Sequence, residues 1–439
     1  MRRMMLGALV VSAIGLGSVA PVQAGETSFK KEIEELNRLT GLDPIEGMVV
    51  RLGKNPETAK QLLQAALPLA QKQDALNYNA ALVLAFAAMQ QKDLKSSDVF
   101  FHVCAAHAAK AQSTRKLAQS YGGLIDLYFM NKKYADCIRI CKEVIELKTD
   151  DKTPRIVLRA FTDESGDTDF VESRSFDSAK RLKPMVQRFQ VRALAKLGKY
   201  PQALKIAEGL IKDEVDWRGR HLKASVQREA GEFAAAAASY EAILKLVEKD
   251  STLDPEERDE VNEELRTELS NIYVDLKDIK KAADQLEILV QKQPEEPGHY
   301  NDLGYILADH GVRLEEAEKL IRKALDLDLT KRKKKPGFDP KTDHDNGAYL
   351  DSLGWVLFKK KQYAEARKIL QQALEDKKAQ HIEIYDHLGD ACMALGDREA
   401  AIRAWEKGLE HVTDARRDQD RRTAVEMKIE RAKSKSASK

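Results

Sequence analysis

Residues 347–374 read GAYLDSLGWVLFKKKQYAEARKILQQAL, and this stretch decides the fold because it contains two helical periods separated by a short polar interruption. Apolar residues recur at helical spacing on both sides of that interruption: Leu350, Leu353 and Leu357, then Ala366, Leu370 and Ala373. The small residues Gly354 and Ala366 fall one on each helix, where they allow two antiparallel helices to approach closely. The stretch therefore predicts a helical hairpin.

The same pattern returns along the chain. Residues 385–409 show it most clearly, with Leu388-Gly389 on the first helix, Leu395-Gly396-Asp397 in the turn and Trp405 on the second helix. The other matching segments are residues 82–104, 121–144, 187–210, 221–243, 269–294 and 300–325. A single hairpin cannot bury its apolar sides, so neighbouring hairpins would stack around one continuous core. The sequence predicts an all-α solenoid of about eight hairpins.

At these residues the chain resembles the tetratricopeptide repeat family. Its 34-residue helix–turn–helix pattern places an aromatic or Leu, then Leu-Gly, then an aromatic on the first helix, and Ala, an aromatic, Ala and Pro on the second. The resemblance covers roughly residues 75–410 and is most specific in the C-terminal half. Cys137 and Ser97 stand where the family has alanine. The resemblance implies a right-handed superhelical solenoid of antiparallel helix–turn–helix repeats.

These patterns divide the chain into nine predicted segments. They are a signal peptide at 1–24, a helical lead-in at 25–74, repeats at 75–149, an irregular insertion at 150–182, repeats at 183–250, repeats at 251–328, a loop with basic and acidic residues at 329–346, repeats at 347–411, and a charged helix with a disordered tail at 412–439.

The first residues predict export. Arg2 and Arg3 precede an uncharged run of apolar or small residues, and Val22-Gln23-Ala24 offers small residues for cleavage after Ala24. A single membrane anchor is the alternative, but the apolar run is short. No later segment is apolar enough to span a bilayer. We therefore expect a periplasmic or secreted protein without an integral membrane span.

The charge balance gives no reason to expect a nucleic-acid partner. Removing residues 1–24 lowers the 73 basic residues to 71, which equals the 71 acidic residues. A neutral chain has no general attraction for polyanions. The local basic run at 331–335 is either a solvated loop or a contact with an anionic surface.

The four cysteines are Cys104, Cys137, Cys141 and Cys392. Cys137 and Cys141 lie four residues apart on one face of a predicted helix, where small apolar residues are expected. Buried thiols are the favoured interpretation, because a fold of this size can be stable without disulfide bonds. A disulfide from Cys104 to Cys137 or Cys141 is the alternative, and metal binding is disfavoured because the spacing matches no known site.

No pattern in the chain indicates catalysis. The sequence has no Gly-rich phosphate loop, no GxSxG, no HExxH and no CxxC. The triplet Asp343-His344-Asp345 lies in a predicted loop, and no other motif in the sequence indicates residues that would act with it. We therefore predict no catalytic residue, no metal and no cofactor.

A stripe on the first helix of each hairpin is predicted to line a concave groove. The candidate partner-binding residues, called the predicted groove residues, are Arg188, Arg192, Asn301, Tyr305, Asp351, Trp355, Phe358 and Asp390. The groove would be basic in its middle and acidic with aromatics toward the C-terminus, which suits an extended peptide or a helix. Trp355 is either an anchor there or partly buried under the next hairpin, whereas Trp405 is expected in the core.

The favoured function is a non-catalytic scaffold or adaptor of the cell envelope that holds a protein partner. A docking subunit for an outer-membrane or secretion assembly is one version of it. Two other classes stay open. Trp355, Tyr305 and Phe358 could form a platform for carbohydrate or cell wall, and the irregular regions 150–182 and 329–346 could carry an enzymatic site.

Overall fold

A computed structural model describes most of the chain. The described residues are 29–72, 74–146, 156–158, 174–176, 179–212, 215–339, 343–413 and 416–434. The predicted signal peptide and the predicted disordered tail after Ser434 lie outside them. The chain divides into two compact units, residues 1–212 and residues 213–439.

The N-terminal unit consists of helices with one small strand pair among its described residues. Its helices are α1 (Lys30–Arg38), α2 (Leu42–Gly53), α3 (Pro56–Ala66), α4 (Tyr78–Gln90), α5 (Leu94–Lys110), α6 (Thr114–Met130), α7 (Tyr134–Glu146), α8 (Ala179–Lys196) and α9 (Tyr200–Leu210). A short 3₁₀ helix, Leu67–Gln71, continues α3. Consecutive helices pack together from α4 to α9, so this unit holds three hairpins of the predicted kind.

The C-terminal unit is formed by eleven α-helices in its described part. They are α10 (Trp217–Glu229), α11 (Phe233–Lys249), α12 (Pro255–Asp275), α13 (Ile279–Lys292), α14 (Pro297–Asp309), α15 (Leu314–Lys333), α16 (Gly347–Lys359), α17 (Tyr363–Ala373), α18 (Ile382–Ala394), α19 (Arg398–Leu409) and α20 (Arg416–Ser434). Five hairpins stack in order from α10 to α19. The charged helix predicted within residues 412–439 is α20, and it packs on α18 and α19 through Val425, Ile429 and Ala432.

One turn joins the two helices in each of the eight hairpins that the described residues form. The second residue after the first helix has a positive φ, and the next amide N–H bonds to the carbonyl five residues earlier, as in a Schellman motif. These positive-φ residues are Lys92, Lys132, Gly198, Gly231, Lys277, Gly311, Lys361 and Gly396. Four hairpins thus place lysine where glycine fits without strain. The identical turn makes the eight hairpins structural repeats and confirms the all-α repeat fold.

The close approach of paired helices follows from glycine on the first helix. A Cβ added to Gly354 would lie 2.5 Å from Leu370 Cγ, and one added to Gly389 would lie 2.2 Å from Trp405 Nε1. Trp405 is 3% exposed, and its Nε1–H donates to the Asp386 carbonyl oxygen at 3.2 Å. The prediction that Trp405 belongs to the core is confirmed. All four cysteines are free and buried, as the thiol interpretation expects.

Two predicted boundaries need correction. The insertion at 150–182 is not wholly irregular, because Ile156–Leu158 (β1) pairs antiparallel with Arg174–Phe176 (β2) and α8 already begins at Ala179. The loop predicted at 329–346 starts later, because α15 continues through Lys333. The reason is Arg332, whose guanidinium binds Asp328 one turn earlier on α15 and also contacts Asp343 and Asp345. Three carboxylates on one arginine favour helix over loop at this position.

Replacing Gly389 by alanine should destabilise the C-terminal unit by about 1–3 kcal/mol, because the new methyl group would collide with the buried Trp405 ring. The matched control is Gly47→Ala in α2, where no atom lies within 4 Å of the added Cβ. That change should stabilise by up to about 1 kcal/mol through helix propensity. Urea unfolding followed by circular dichroism measures both. Unchanged stability of Gly389→Ala would show that this helix contact is looser than described.

Candidate functional site

The structure places the eight predicted groove residues in two separate units. Arg188 and Arg192 lie on α8 of the N-terminal unit, where Arg188 is half-buried and Arg192 is exposed. The other six lie on the first helices of three consecutive hairpins of the C-terminal unit: Asn301 and Tyr305 on α14, Asp351, Trp355 and Phe358 on α16, and Asp390 on α18. Their surroundings decide which of them a partner can reach.

Tyr305 belongs to a charge network centred on Glu383, a residue that the sequence reasoning missed. The Tyr305 hydroxyl donates to Glu383 Oε1 at 2.7 Å. Arg417 and Arg421 of α20 each donate to the same oxygen at 2.6 Å. Burial acts to raise the pKa of Glu383, but the two arginines outweigh it and hold this pKa below its ordinary value. The network therefore links α14, α18 and α20 through an ionised carboxylate.

The same helix α20 also engages the acidic stripe of α18. Lys428 Nζ donates to Asp386 at 2.6 Å and to Asp390 at 2.8 Å. Arg421 adds a bond to Asp386 at 3.2 Å. The acidic end of the predicted groove is thus neutralised within the chain. The spacing of Arg417, Arg421 and Lys428 could have revealed this neutralisation. It places three cations along α20, away from the apolar face of that helix.

Trp355 is packed between neighbours and half-buried. Its ring is stacked with His387 of α18, at a centroid distance of 4.0 Å, and with Phe358 at 5.0 Å. Its Nε1–H donates to Asp309 at 2.9 Å, and the Lys359 ammonium lies 4.7 Å from the ring centroid. These contacts agree better with a Trp355 that is partly buried under the next hairpin than with a Trp355 that is free to anchor a partner. A carbohydrate platform needs open ring faces, and this indole offers little open surface.

Asp351 is buried and serves as the partner of His387. His387 Nδ1–H donates to Asp351 Oδ1 at 2.8 Å, and both side chains are at most 8% exposed. Burial acts to lower the pKa of His387, but the charge and hydrogen bond of Asp351, with the charge of Glu383, raise it more. The net result is a pKa above the ordinary 6.5 of histidine. The pair is a buried structural contact under Trp355.

Asn301 is also buried. Its Nδ2 donates to Asp302 at 3.4 Å, a long bond, and its Oδ1 has no protein partner among the described residues. Asn301 is therefore poorly placed to meet a partner in the groove.

One open concavity remains on this part of the unit. A cleft of ≈ 500 Å³ lies between α16, α18, α19 and α20. Two predicted groove residues, Phe358 and Asp390, line it together with Met393 and Trp405. Arg398, Lys428 and Arg431 also line the cleft, with Ala394 and Ala432 completing the apolar part. The arrangement combines an apolar floor with guanidinium groups, which suits side-chain recognition and offers no nucleophile or acid–base pair.

The described part of the chain offers neither a metal-binding cluster nor a membrane-spanning helix. No group of three or more metal-ligating side chains occurs there. The helices of that part include none that is both long and apolar enough to cross a bilayer. The described residues of the loop after α15 form the carboxylate cluster around Arg332, and most of 150–182 lies outside the described residues.

Comparison with known families agrees with the repeated hairpin. Tetratricopeptide repeat models match residues 190–251, 267–329, 347–379 and 382–410. The chain contains tetratricopeptide repeats. The matched segments begin on α8 and end one residue after α19, and they cover all or part of each of the five hairpins of the C-terminal unit.

Two relatives share part of the sequence. A TPR repeat-containing protein of Pseudomonas aeruginosa is 32% identical over 113 residues, which cover 26% of this chain and 16% of the relative. The uncharacterized protein ycf37 of Cyanophora paradoxa is 32% identical over 112 residues, which cover 25% of this chain and 62% of the relative. The chain thus spans less than two thirds of either relative.

Solved structures of repeat proteins are also similar. A tetratricopeptide repeat protein from Parabacteroides merdae gives a TM-score of 0.44 at 13% identity, covering 70% of this chain and 99% of that chain. MamA from Desulfovibrio magneticus gives a TM-score of 0.33 at 18% identity, covering 45% of this chain and 96% of that chain.

The raised pKa of His387 makes the stability of the C-terminal unit depend on pH. The pair with Asp351 contributes fully below the ordinary pKa of histidine, and its contribution is lost as pH rises through the raised folded-state pKa. The groups facing this imidazole are Asp351, Glu383 and Arg421. His387→Gln should therefore cost about 1–3 kcal/mol near pH 6 and clearly less near pH 9.

Urea unfolding of both proteins at the two pH values measures this difference. His310→Gln is the control, because His310 is exposed at the end of α14 and its change should shift stability by less than about 0.5 kcal/mol at either pH. An equal cost of His387→Gln at both pH values would contradict a charged pair.

Proposed function

We propose that this tetratricopeptide repeat protein is a non-catalytic scaffold of the bacterial cell envelope, and that it binds a peptide or helix of a protein partner on the repeats of its C-terminal unit. The repeat fold supports a protein-binding role, because stacked hairpins present an extended surface to other chains. The envelope location is supported by the sequence of residues 1–24, with Arg2 and Arg3 before an apolar run and a small residue at Ala24.

The observation that carries the proposal is the cleft beside α20. Tyr305, Asp351 and Asn301 are committed to contacts inside the chain or are buried, whereas Phe358 and Asp390 line an open concavity. Met393 and Trp405 extend its apolar floor. Aromatic, methionine and arginine side chains around a concave surface are typical of the residues that dominate protein–protein binding. We therefore place the partner's anchor in this cleft.

A carbohydrate partner is less well supported. A sugar ring stacks on an open aromatic face and bonds to free polar groups around it. The Trp355 indole N–H is already used by Asp309, and the Tyr305 hydroxyl is already used by Glu383. The apolar floor of the cleft instead suits an aliphatic or aromatic side chain.

Met393→Glu should abolish partner capture. The full chain is immobilised through a tag placed after Lys439 and exposed to an envelope extract, and retained proteins are identified by mass spectrometry. A glutamate inside the apolar cleft must be desolvated when a partner binds, so retention should fall at least about tenfold.

Met427→Glu is the matched control, because Met427 is an exposed methionine of α20 that does not line the cleft. It should retain the partner as the unaltered protein does. If both variants retain the same protein equally well, the partner binds elsewhere and the cleft is not its anchor.

Export is tested by a second variant. Ala24→Arg removes the small residue that signal cleavage requires, so an uncleaved precursor should accumulate. Mass spectrometry of the unaltered protein, recovered from an envelope fraction, should give a chain that begins at Gly25. Recovery of the full-length chain from the cytosol would contradict the proposed location.

A further inference from the structure

The cleft beside α20 has cations that the fold leaves without partners. Arg398, at the start of α19, is half-buried, and Arg431, near the end of α20, is exposed. Both line the cleft. Neither guanidinium makes a hydrogen bond or an ion pair with any described residue. This differs from the rest of α20, where Arg417, Arg421 and Lys428 are all paired.

Carboxylates near the cleft are already used by other cations. Asp397, adjacent to Arg398, binds Arg367 at 3.1 Å. Glu406 of α19 binds Lys433 at 2.7 Å. Asp390, the one carboxylate in the lining, is bound to Lys428. The lining therefore holds one carboxylate and three cations, and it carries an excess of positive charge next to an apolar floor.

This combination specifies the chemistry of an occupant. Phe358 and Met393 offer a ring and a thioether to one large apolar side chain, and the buried Trp405 lies beneath them. Guanidinium groups bind carboxylates through paired hydrogen bonds, and they are desolvated more cheaply than ammonium groups. The carboxylates of α18 are not available to a basic partner, because α20 already binds them. Arg398 and Arg431 would also repel a basic partner. An acidic partner meets no such conflict.

We propose that the cleft between α16, α18, α19 and α20 binds an acidic segment of the partner polypeptide, with one large apolar side chain on Phe358 and Met393 and neighbouring carboxylates on Arg398 and Arg431. This proposal rests on the scaffold function and names the chemistry of its partner. It requires no movement of α20, because the cleft is open in the structure.

Synthetic peptides provide the probe. The test peptide is acetylated and amidated at its ends and carries one phenylalanine flanked by two glutamates on each side. One companion replaces phenylalanine by serine, and another replaces each glutamate by lysine. Binding to the full chain is measured by fluorescence anisotropy. The acidic phenylalanine peptide should bind at least about tenfold more tightly than either companion, and its affinity should fall as salt is added.

The double variant Arg398→Gln, Arg431→Gln should bind the acidic phenylalanine peptide at least about tenfold more weakly, since two charge-assisted contacts are lost. Arg403→Gln, Arg422→Gln is the matched control. It makes the same substitutions on the same two helices, at arginines that pair with Glu399 and Glu426 and do not line the cleft. The control should stay within about twofold of the unaltered protein.

Several results would overturn the inference. They are equal or tighter binding of the lysine peptide, equal binding of the serine peptide, no binding of the acidic peptide, or an unchanged affinity of the Arg398→Gln, Arg431→Gln variant.

Failure of the scaffold function can be distinguished from failure of this inference. If an envelope protein is lost with Met393→Glu but is retained by the double arginine variant, the scaffold stands and the acidic partner does not. If the peptide results hold but no envelope protein is captured, the cleft recognises acidic segments and the scaffold proposal fails.

Discussion

The carboxylate of Glu383 accepts hydrogen bonds from Tyr305 on α14 and from Arg417 and Arg421 on α20. Its side chain is only 15% exposed, so the cost of removing a charge from water must be offset by these three donors. This group fixes α20 across α18 together with the Lys428 ion pairs and the apolar contacts of Val425 and Ile429. The position of α20 then determines which part of the first-helix surface stays accessible and forms one wall of the cleft.

The hairpins and their order could be predicted because each depends on contacts within about thirty residues. Gly389 and Trp405 are sixteen positions apart, and their spacing within one hairpin already implies that the two helices touch. The recurring turn was only partly predictable. The pairs Leu395-Gly396 and Leu197-Gly198 indicate this turn, because glycine adopts a positive φ easily. Lys132 and Lys361 adopt the same positive φ without glycine. There the carbonyl and amide pairing of the turn selects the conformation in spite of the residue type.

The candidate site was less predictable because it depends on contacts between hairpins. The spacing of Trp355 on α16 predicts its face, but whether that face is open depends on His387 in the next hairpin. Tyr305 likewise meets Glu383, 78 residues later, and Arg417, 112 residues later. Asp351 and Asp390 lie on the first helices of their hairpins, but the side chains that bind them could not be predicted from one helix. Arg398 and Arg431 were missed because an unpaired cation is visible only when the nearby carboxylates have been assigned to other groups.

In the proposed function, the cleft and not the whole predicted groove contacts the partner. Site-specific photo-crosslinking in the cells that make the protein tests this most directly. Met393 is replaced by a photoreactive benzoyl-phenylalanine, and the same replacement at Lys368, exposed on α17, serves as the reference. The account predicts a crosslink to an envelope protein from position 393 and none from position 368. A crosslink from position 368 without one from position 393 would contradict it.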